Sequence, residues 1–369
     1  MQGESFCDCP LMAALASIAW VNRMFIVQNT TKNNIVNADG STSTSYTFTF
    51  WDYGVGNTIG QNVPLNGPLN PVDANNNPKG IKTLVTVNAQ VLLDNNSRFS
   101  DPNGTFYGAG SNNANEVWPA LFERAYAKFC YYENGINPSS GALQCANSND
   151  QYGNLVHIIS GPDPAFADVQ NLTMNQWGGN AGIGLMYLTG RNCFRISTTS
   201  ANFSVPLNSS IPTNVNSPSL YNFIKAAFCS ESRLNVTYGR YKTRYPLVAW
   251  TYPSGDQYSP STIPAPHCYP ILGVFDSTDG SGNNKSYIVL RTTYGLQDPS
   301  ANLGNVSPVG NGSWNYWDAR FPIGSTGKYP SAGRIPQLLD LSLPGDAIFG
   351  LDQAVFSTYF PFIGWAEGY

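Results

Sequence analysis

Twelve residues near the start constrain this chain more than any others: Cys9-Pro10-Leu11-Met12-Ala13-Ala14-Leu15-Ala16-Ser17-Ile18-Ala19-Trp20. Leu11, Leu15 and Ile18 recur at helical spacing, and the alanines between them suit a helix with close neighbours on all sides. Such a helix has to lie inside the molecule. Pro10 fits the first helical turn, where its missing N–H costs nothing, and Asp8 suits the position just before a helix. Cys9 therefore falls where the positive end of a helix dipole favours a thiolate, the form that attacks carbonyls. The same residues also suit a plain buried cysteine capping a core helix.

The rest of the chain must supply what surrounds that helix. At 369 residues it exceeds one ordinary core, which predicts two lobes or one domain with large insertions. Only 11% of residues are charged, the net charge is −4 and no run of Lys or Arg occurs, so nucleic acid is not an expected partner. No apolar run reaches membrane-spanning length, and none points to a membrane partner. Aromatic residues at 13% indicate a folded globule.

Cysteine and asparagine bear on the compartment. The seven cysteines are Cys7, Cys9, Cys130, Cys145, Cys193, Cys229 and Cys268. One nucleophile leaves six, enough for three disulfides. Glycosylation sequons begin at Asn29, Asn95, Asn103, Asn171, Asn202, Asn208, Asn235, Asn284, Asn305 and Asn311. Together these predict a secreted, disulfide-bonded glycoprotein. The opening segment carries Glu4 and Asp8 and no basic leader, so it reads as the start of a mature or trimmed form and not as a signal peptide.

In chain order, residues 45–51 alternate as a half-buried strand, and residues 83–88 and 90–93 read as another, bent in its middle. Residues 116–128 form an amphipathic helix, and residues 131–174 a polar insertion rich in Gly, Asn, Ser and Pro. Residues 219–228 are a further helix. A hairpin follows, with one strand from Cys268 to Phe275 and the other from Ser286 to Arg291.

The chain has two histidines. His157 lies in the apolar run Leu155–Ile159, which suits a structural role. His267 follows Pro264-Ala265-Pro266 at the start of a strand, where an imidazole can face a cleft. A cysteine nucleophile needs an imidazole to hold the ion pair and to protonate the leaving amine, which makes His267 the natural partner of Cys9.

Several stretches in order along the chain resemble the papain-like catalytic core of the calpain family of cysteine proteases. Gln2-Gly3 with Asp8-Cys9 and Leu11–Ser17 is similar to that family's nucleophile segment. Glu116–Lys128 is similar to its first-lobe helix, and Gly178-Gly179 with Gly184-Leu185 and Leu188-Thr189-Gly190 to the crossing between lobes. His267-Cys268-Tyr269 with Gly273-Val274 resembles the histidine strand, Leu290-Arg291-Thr292-Thr293-Tyr294-Gly295 the segment with Arg-Asn-Pro-Trp-Gly, and Gly345–Gly350 through Phe360 the closing strand and helix. The resemblance implies an α+β, papain-like two-lobed fold: a helical first lobe at 1–190 that carries the insertion, a β-rich second lobe at 191–369, and an active site in the cleft. It implies a cysteine endopeptidase that cleaves a polypeptide substrate through a thioester, here expected as a secreted monomer. Cys9 would be the nucleophile and His267 the base and acid. Thr292 would stand where the family places its orienting Asn, and Gln2 would donate to the oxyanion.

This sequence departs from the family at those points. Thr292 has a shorter reach than Asn, Tyr294 and Pro10 each replace a Trp, and Gln2 lies one residue further from Cys9 than the family spacing. An inactive relative used for binding, or an acyltransferase or amidase acting on side chains, are the alternatives. No cofactor is required. Calcium gating is known in the family, yet no ligands can be assigned, and Asp276-Ser277-Thr278-Asp279-Gly280 lacks the EF-hand pattern. Cys7 and Cys268 flank the pair closely enough to suggest a disulfide between the lobes, or a zinc site with Cys9 and His267.

Overall fold

The computed structural model describes residues 9–22, 24–53, 67–69, 75, 79–89, 118–133, 135, 141–164, 181–206, 209–211, 215–229, 240–258, 263, 265–278, 284–293, 306–308 and 348–368. Six helices are described: α1 (Cys9–Val21), α2 (Phe25–Gln28), α3 (Trp118–Glu133), α4 (Ala181–Thr189), α5 (Leu220–Phe228) and α6 (Gln353–Tyr359). The strands before α4 are β1 (Thr30–Val36), β2 (Thr42–Asp52), β3 (Gly67–Pro68), β4 (Ile81–Asn88), β5 (Gln144–Asn149) and β6 (Leu155–Ser160). Those after it are β7 (Cys193–Ser197), β8 (Phe203–Ser204), β9 (Asn216–Ser217), β10 (Arg240–Lys242), β11 (Leu247–Trp250), β12 (Cys268–Thr278), β13 (Asn284–Arg291), β14 (Val306–Pro308), β15 (Ile348–Asp352) and β16 (Phe362–Ala366). The architecture is α+β, and no described helix is long and apolar enough to cross a membrane.

As the apolar run requires, α1 is buried on every side, with Leu11, Ala13 and Ile18 wholly inaccessible. Its side chains from Cys9 to Ile18 join the core beneath the first sheet, whereas Trp20 belongs to the core beneath the second. The Trp20 indole N–H donates to the Leu272 carbonyl on β12 at 2.8 Å, fixing the helix against that strand. On another flank α4 approaches so closely that a Cβ at Gly184 would lie 2.6 Å from the Pro10 carbonyl oxygen. Glycine is required there by contact with the turn that carries Cys9.

The first sheet runs β1-β2-β4-β6-β5, with β4 and β6 parallel and the other neighbours antiparallel. Its inner face meets α3 through aromatic contacts: Phe48 and Phe122 at 4.6 Å between centroids, and Phe50 stacked on Phe129 at 5.0 Å. Each such pair contributes about 0.5–1.5 kcal/mol beyond its buried area. The buried cations of α3 are paired and do not cost the full penalty of lone charges. Lys128 Nζ donates to the Thr86 and Gly161 carbonyls and to Asp163, each at 2.9 Å, and Arg124 bonds Asn88 at 2.8 Å.

Two expectations change here. Residues 131–174 include β5 and β6, which are integral strands of this sheet. Within the apolar run Leu155–Ile159, Val156 and Ile159 are buried, and β6 pairs in parallel with β4. The region before residue 190 consequently carries a five-stranded sheet as well as its helices. The continuation at 90–93 lies outside the described residues.

The second sheet has the path β14-β15-β13-β12-β11-β16-β7-β3, with β10 added to β12, and every pairing is antiparallel. The expected hairpin is β12 and β13. Helix α5 is capped by Ser219, whose side chain accepts from the Asn222 N–H, and it buries Phe223 and Phe228 on this sheet. Phe228 in turn meets Trp365 of β16 at 5.0 Å.

The expectation of three disulfides is not met among the described residues. Cys9, Cys130, Cys145, Cys193, Cys229 and Cys268 carry unbridged thiols, and Cys7 lies outside the described residues. Cys130 sits within α3, Cys193 at the start of β7 and Cys229 just after α5, each packed into a hydrophobic core.

Candidate active site

Cys9 opens α1, and a residue there has a backbone N–H with no acceptor inside the helix. Cys9 is 9% exposed, with most of its surface packed. Its pKa is lowered from 9.0 to about 5. The largest cause is a hydrogen bond with the Cys268 side chain, and a hydrogen bond and charge interaction with His267 add to it. Burial opposes both and is outweighed. Where those partners are lacking burial decides the outcome, and it pushes the thiols of Cys130, Cys193 and Cys229 up.

His267 is held at the entry to β12 by its backbone. Its N–H donates to Thr251 Oγ1 at 2.8 Å, and its carbonyl accepts the Thr251 N–H at 2.9 Å. The ring meets Tyr269 edge-on at 5.0 Å and is 3% exposed. Its Nε2 lies 2.7 Å from Thr293 Oγ1. With Nε2 engaged by that hydroxyl, Nδ1 is the nitrogen on the side available to Cys9. When the ring is protonated, Nε2–H donates to Thr293 Oγ1, which fixes the plane of the imidazolium.

The hydroxyl that meets the imidazole thus belongs to Thr293 and not to the expected Thr292. Both follow β13, which pairs with β12, and successive side chains of an extended segment point to opposite sides. A one-residue difference therefore decides which hydroxyl reaches the ring. Thr292 is 1% exposed, and its Oγ1 finds no hydrogen-bond partner among the described residues.

Cys268 is the residue that the sequence did not single out for this role. It is 1% exposed, and its thiol is pushed well above 9.0, first by burial and then by the bond with Cys9 and that neighbour's charge. The Ala181 backbone N–H at the start of α4 also bonds its sulfur. Its adjacency to His267 was visible in the sequence; its contact with a helix some 250 residues earlier was not. The structure brings Cys9, His267, Cys268 and Thr293 together.

Gln2, Cys7 and Tyr294 lie outside the described residues. His157 sits in the first sheet, with Nδ1 3.0 Å from Asp52 Oδ2. No group of three or more His, Cys, Asp or Glu among the described residues could hold a metal ion. At the expected oxygen-rich loop, Asp276 accepts a hydrogen bond from Ser286 at 2.9 Å, while Asp279 and Gly280 are not described. Comparison with protein-family models and with curated proteins finds no match to this chain.

Proposed function

We propose that this chain is a cysteine endopeptidase of papain-like, two-lobed architecture, related to calpain cores, that acts as a secreted monomer on a polypeptide substrate. One observation carries the reading: a thiol at a helix start, drawn to about 5, beside an imidazole whose far nitrogen is held by a buried hydroxyl. That is a thiolate–imidazole pair built from the chain's own side chains, so the chemistry needs no cofactor. The secreted part rests on the sequons, of which Asn202 and Asn284 are exposed.

In this mechanism Cys9 Sγ attacks the scissile carbonyl carbon, and the carbonyl oxygen becomes an oxyanion. The Cys9 N–H at the head of α1 donates to it, with Gln2 as the second donor assigned by the family resemblance. As the C–N bond breaks, His267 gives its proton to the departing amine and leaves a thioester on Cys9. His267 then takes a proton from water, which attacks the thioester and releases the acid. Cys268 donates its S–H to the Cys9 thiolate and holds the nucleophile ionised between turnovers.

An unstructured polypeptide such as a denatured protein chain tests the proposal. Wild type is expected to cleave it into discrete fragments, and Cys9→Ala to leave it intact. Equal cleavage by both would attribute the activity to a contaminant and remove the proposal, and intact substrate with wild type would favour the binding alternative. Thr293→Val is expected to lower kcat at the smaller end of the about 10²–10⁴-fold range of general acid–base catalysis while leaving KM unchanged. Thr292→Val removes a buried hydroxyl that has no partner, and is expected to preserve activity and to match or exceed wild type in thermal stability.

A further inference from the structure

Two sulfurs meet in this site, and the peptidase mechanism consumes only one. Cys9 begins α1 and Cys268 begins β12, and their side chains are hydrogen-bonded to each other. Both thiols are unbridged, and both are packed into the core beneath the first sheet. Each sulfur also faces the head of a helix: Cys9 is the first residue of α1, and Cys268 accepts from the Ala181 N–H that opens α4. Trp20 ties α1 to β12, and Gly184 lets α4 press on Pro10, so the two sulfurs are held in register by packing. A thiolate beside a second thiol is the arrangement in which a sulfenic acid is resolved before it oxidises further.

We propose that Cys9 and Cys268 form a site of reversible oxidation by hydroperoxides, closing a disulfide that removes the nucleophile from service. In the first step the Cys9 thiolate attacks the terminal oxygen of ROOH. The O–O bond breaks, Cys9 becomes a sulfenic acid, and the departing alkoxide takes a proton from the His267 imidazolium to give ROH. In the second step Cys268 Sγ attacks the Cys9 sulfur, forming the S–S bond and expelling hydroxide, which combines with the Cys268 proton as water. The two sulfurs together lose two electrons, and the peroxide gains them. The sulfurs must close from hydrogen-bond contact to about 2.05 Å. A dithiol reverses the sequence by exchange.

This inference rests on the reactive-thiolate part of the proposed function and not on the choice of substrate, so its test reads mass and not peptidase activity. Reduced full-length protein is treated with one equivalent of hydrogen peroxide, the remaining thiols are capped with N-ethylmaleimide, and the digest is mapped. The expected result is a linked pair of Cys9 and Cys268 peptides, lost on treatment with dithiothreitol. In Cys268→Ser the expected product is a Cys9 sulfenic acid captured by dimedone, passing under excess peroxide to a sulfinic acid that dithiothreitol does not reverse. Two results overturn the inference: a bridge from Cys9 to Cys7, or wild-type Cys9 as sulfinic acid with Cys268 still open to capping. A protein that bridges on oxidation but cleaves no polypeptide in its reduced form would sustain the switch and count against the endopeptidase alone.

Discussion

His267→Ala is expected to reduce kcat/KM on an unstructured polypeptide by at least about 10⁴-fold, the loss seen when only the orienting member of a mutually dependent catalytic set is removed. At 1.36 kcal/mol per decade this is about 5–6 kcal/mol of barrier. Two losses combine. The leaving amine has no proton donor, and the Cys9 thiolate loses both a hydrogen bond and a neighbouring positive charge. Removing those influences raises the Cys9 pKa, so the thiolate fraction at pH 6 falls from the roughly 90% that a value of about 5 implies. The rise stops short of the ordinary 9.0 because the Cys268 bond remains, and Cys268→Ala in the same background removes that as well. Steady-state kinetics on folded variants, verified by circular dichroism, checks the expectation. A variant within tenfold of wild type would exclude His267 as acid and base.

The second large effect lies away from the site. Glu133, the last residue of α3, is 2% exposed, and one of its carboxyl oxygens has no hydrogen-bond partner among the described residues. Burial, followed by a hydrogen bond with Asp52 and that carboxylate's charge, raises its pKa from 4.5 to about 10. The folded chain therefore keeps a proton that the unfolded chain releases above pH 4.5. The stability tied to this group is complete below the unfolded value and is lost as pH rises towards the folded one. The slope is about 1.4 kcal/mol per pH unit, so by pH 7 the upper bound on the loss is about 3 kcal/mol.

Glu133→Gln keeps the shape and the donor while removing the titration. It is expected to leave stability near pH 4 unchanged and to raise it by up to about 3 kcal/mol at pH 7, flattening the dependence on pH. Urea unfolding at the two pH values measures this directly. An equal difference between variant and wild type at both would show that Glu133 does not hold the proton.

How far the sequence foretold this molecule depends on the range of each interaction. Helix α1 was readable because its information is local: an apolar run with Pro10 at its start can be satisfied only by burial on all sides. The β12–β13 hairpin was readable for the same reason, its two apolar strands lying close together in sequence. The strand at Leu155–Ser160 was hidden within an apparent insertion because it pairs in parallel with residues more than seventy positions earlier. Local pattern marks a strand but does not name its neighbour.

The site divides along similar lines. Cys9 and His267 announce themselves through residue type, rarity and position at element starts. Thr293 displaces Thr292 at the ring through strand parity, which turns on where β13 ends, and element ends are the least legible feature of a sequence. From the sequence, Cys268 reads as half of a bridge to Cys7 or as a zinc ligand. Its bond to Cys9 follows from how α1 docks on β12, a tertiary fact with no local signature. An even count of remaining cysteines likewise says nothing about where they lie, and the fold scatters them.

Everything proposed for this site requires Cys9 to be a thiolate held by its neighbours, and the first measurement to make is its rate of alkylation by iodoacetamide as a function of pH. With peptide mapping to assign the label, Cys9 is expected to react through an inflection at about pH 5 and to be already close to its maximal rate at pH 6. An inflection near 9, the ordinary value for a thiol, or a Cys9 that stays unlabelled across the range, would contradict it.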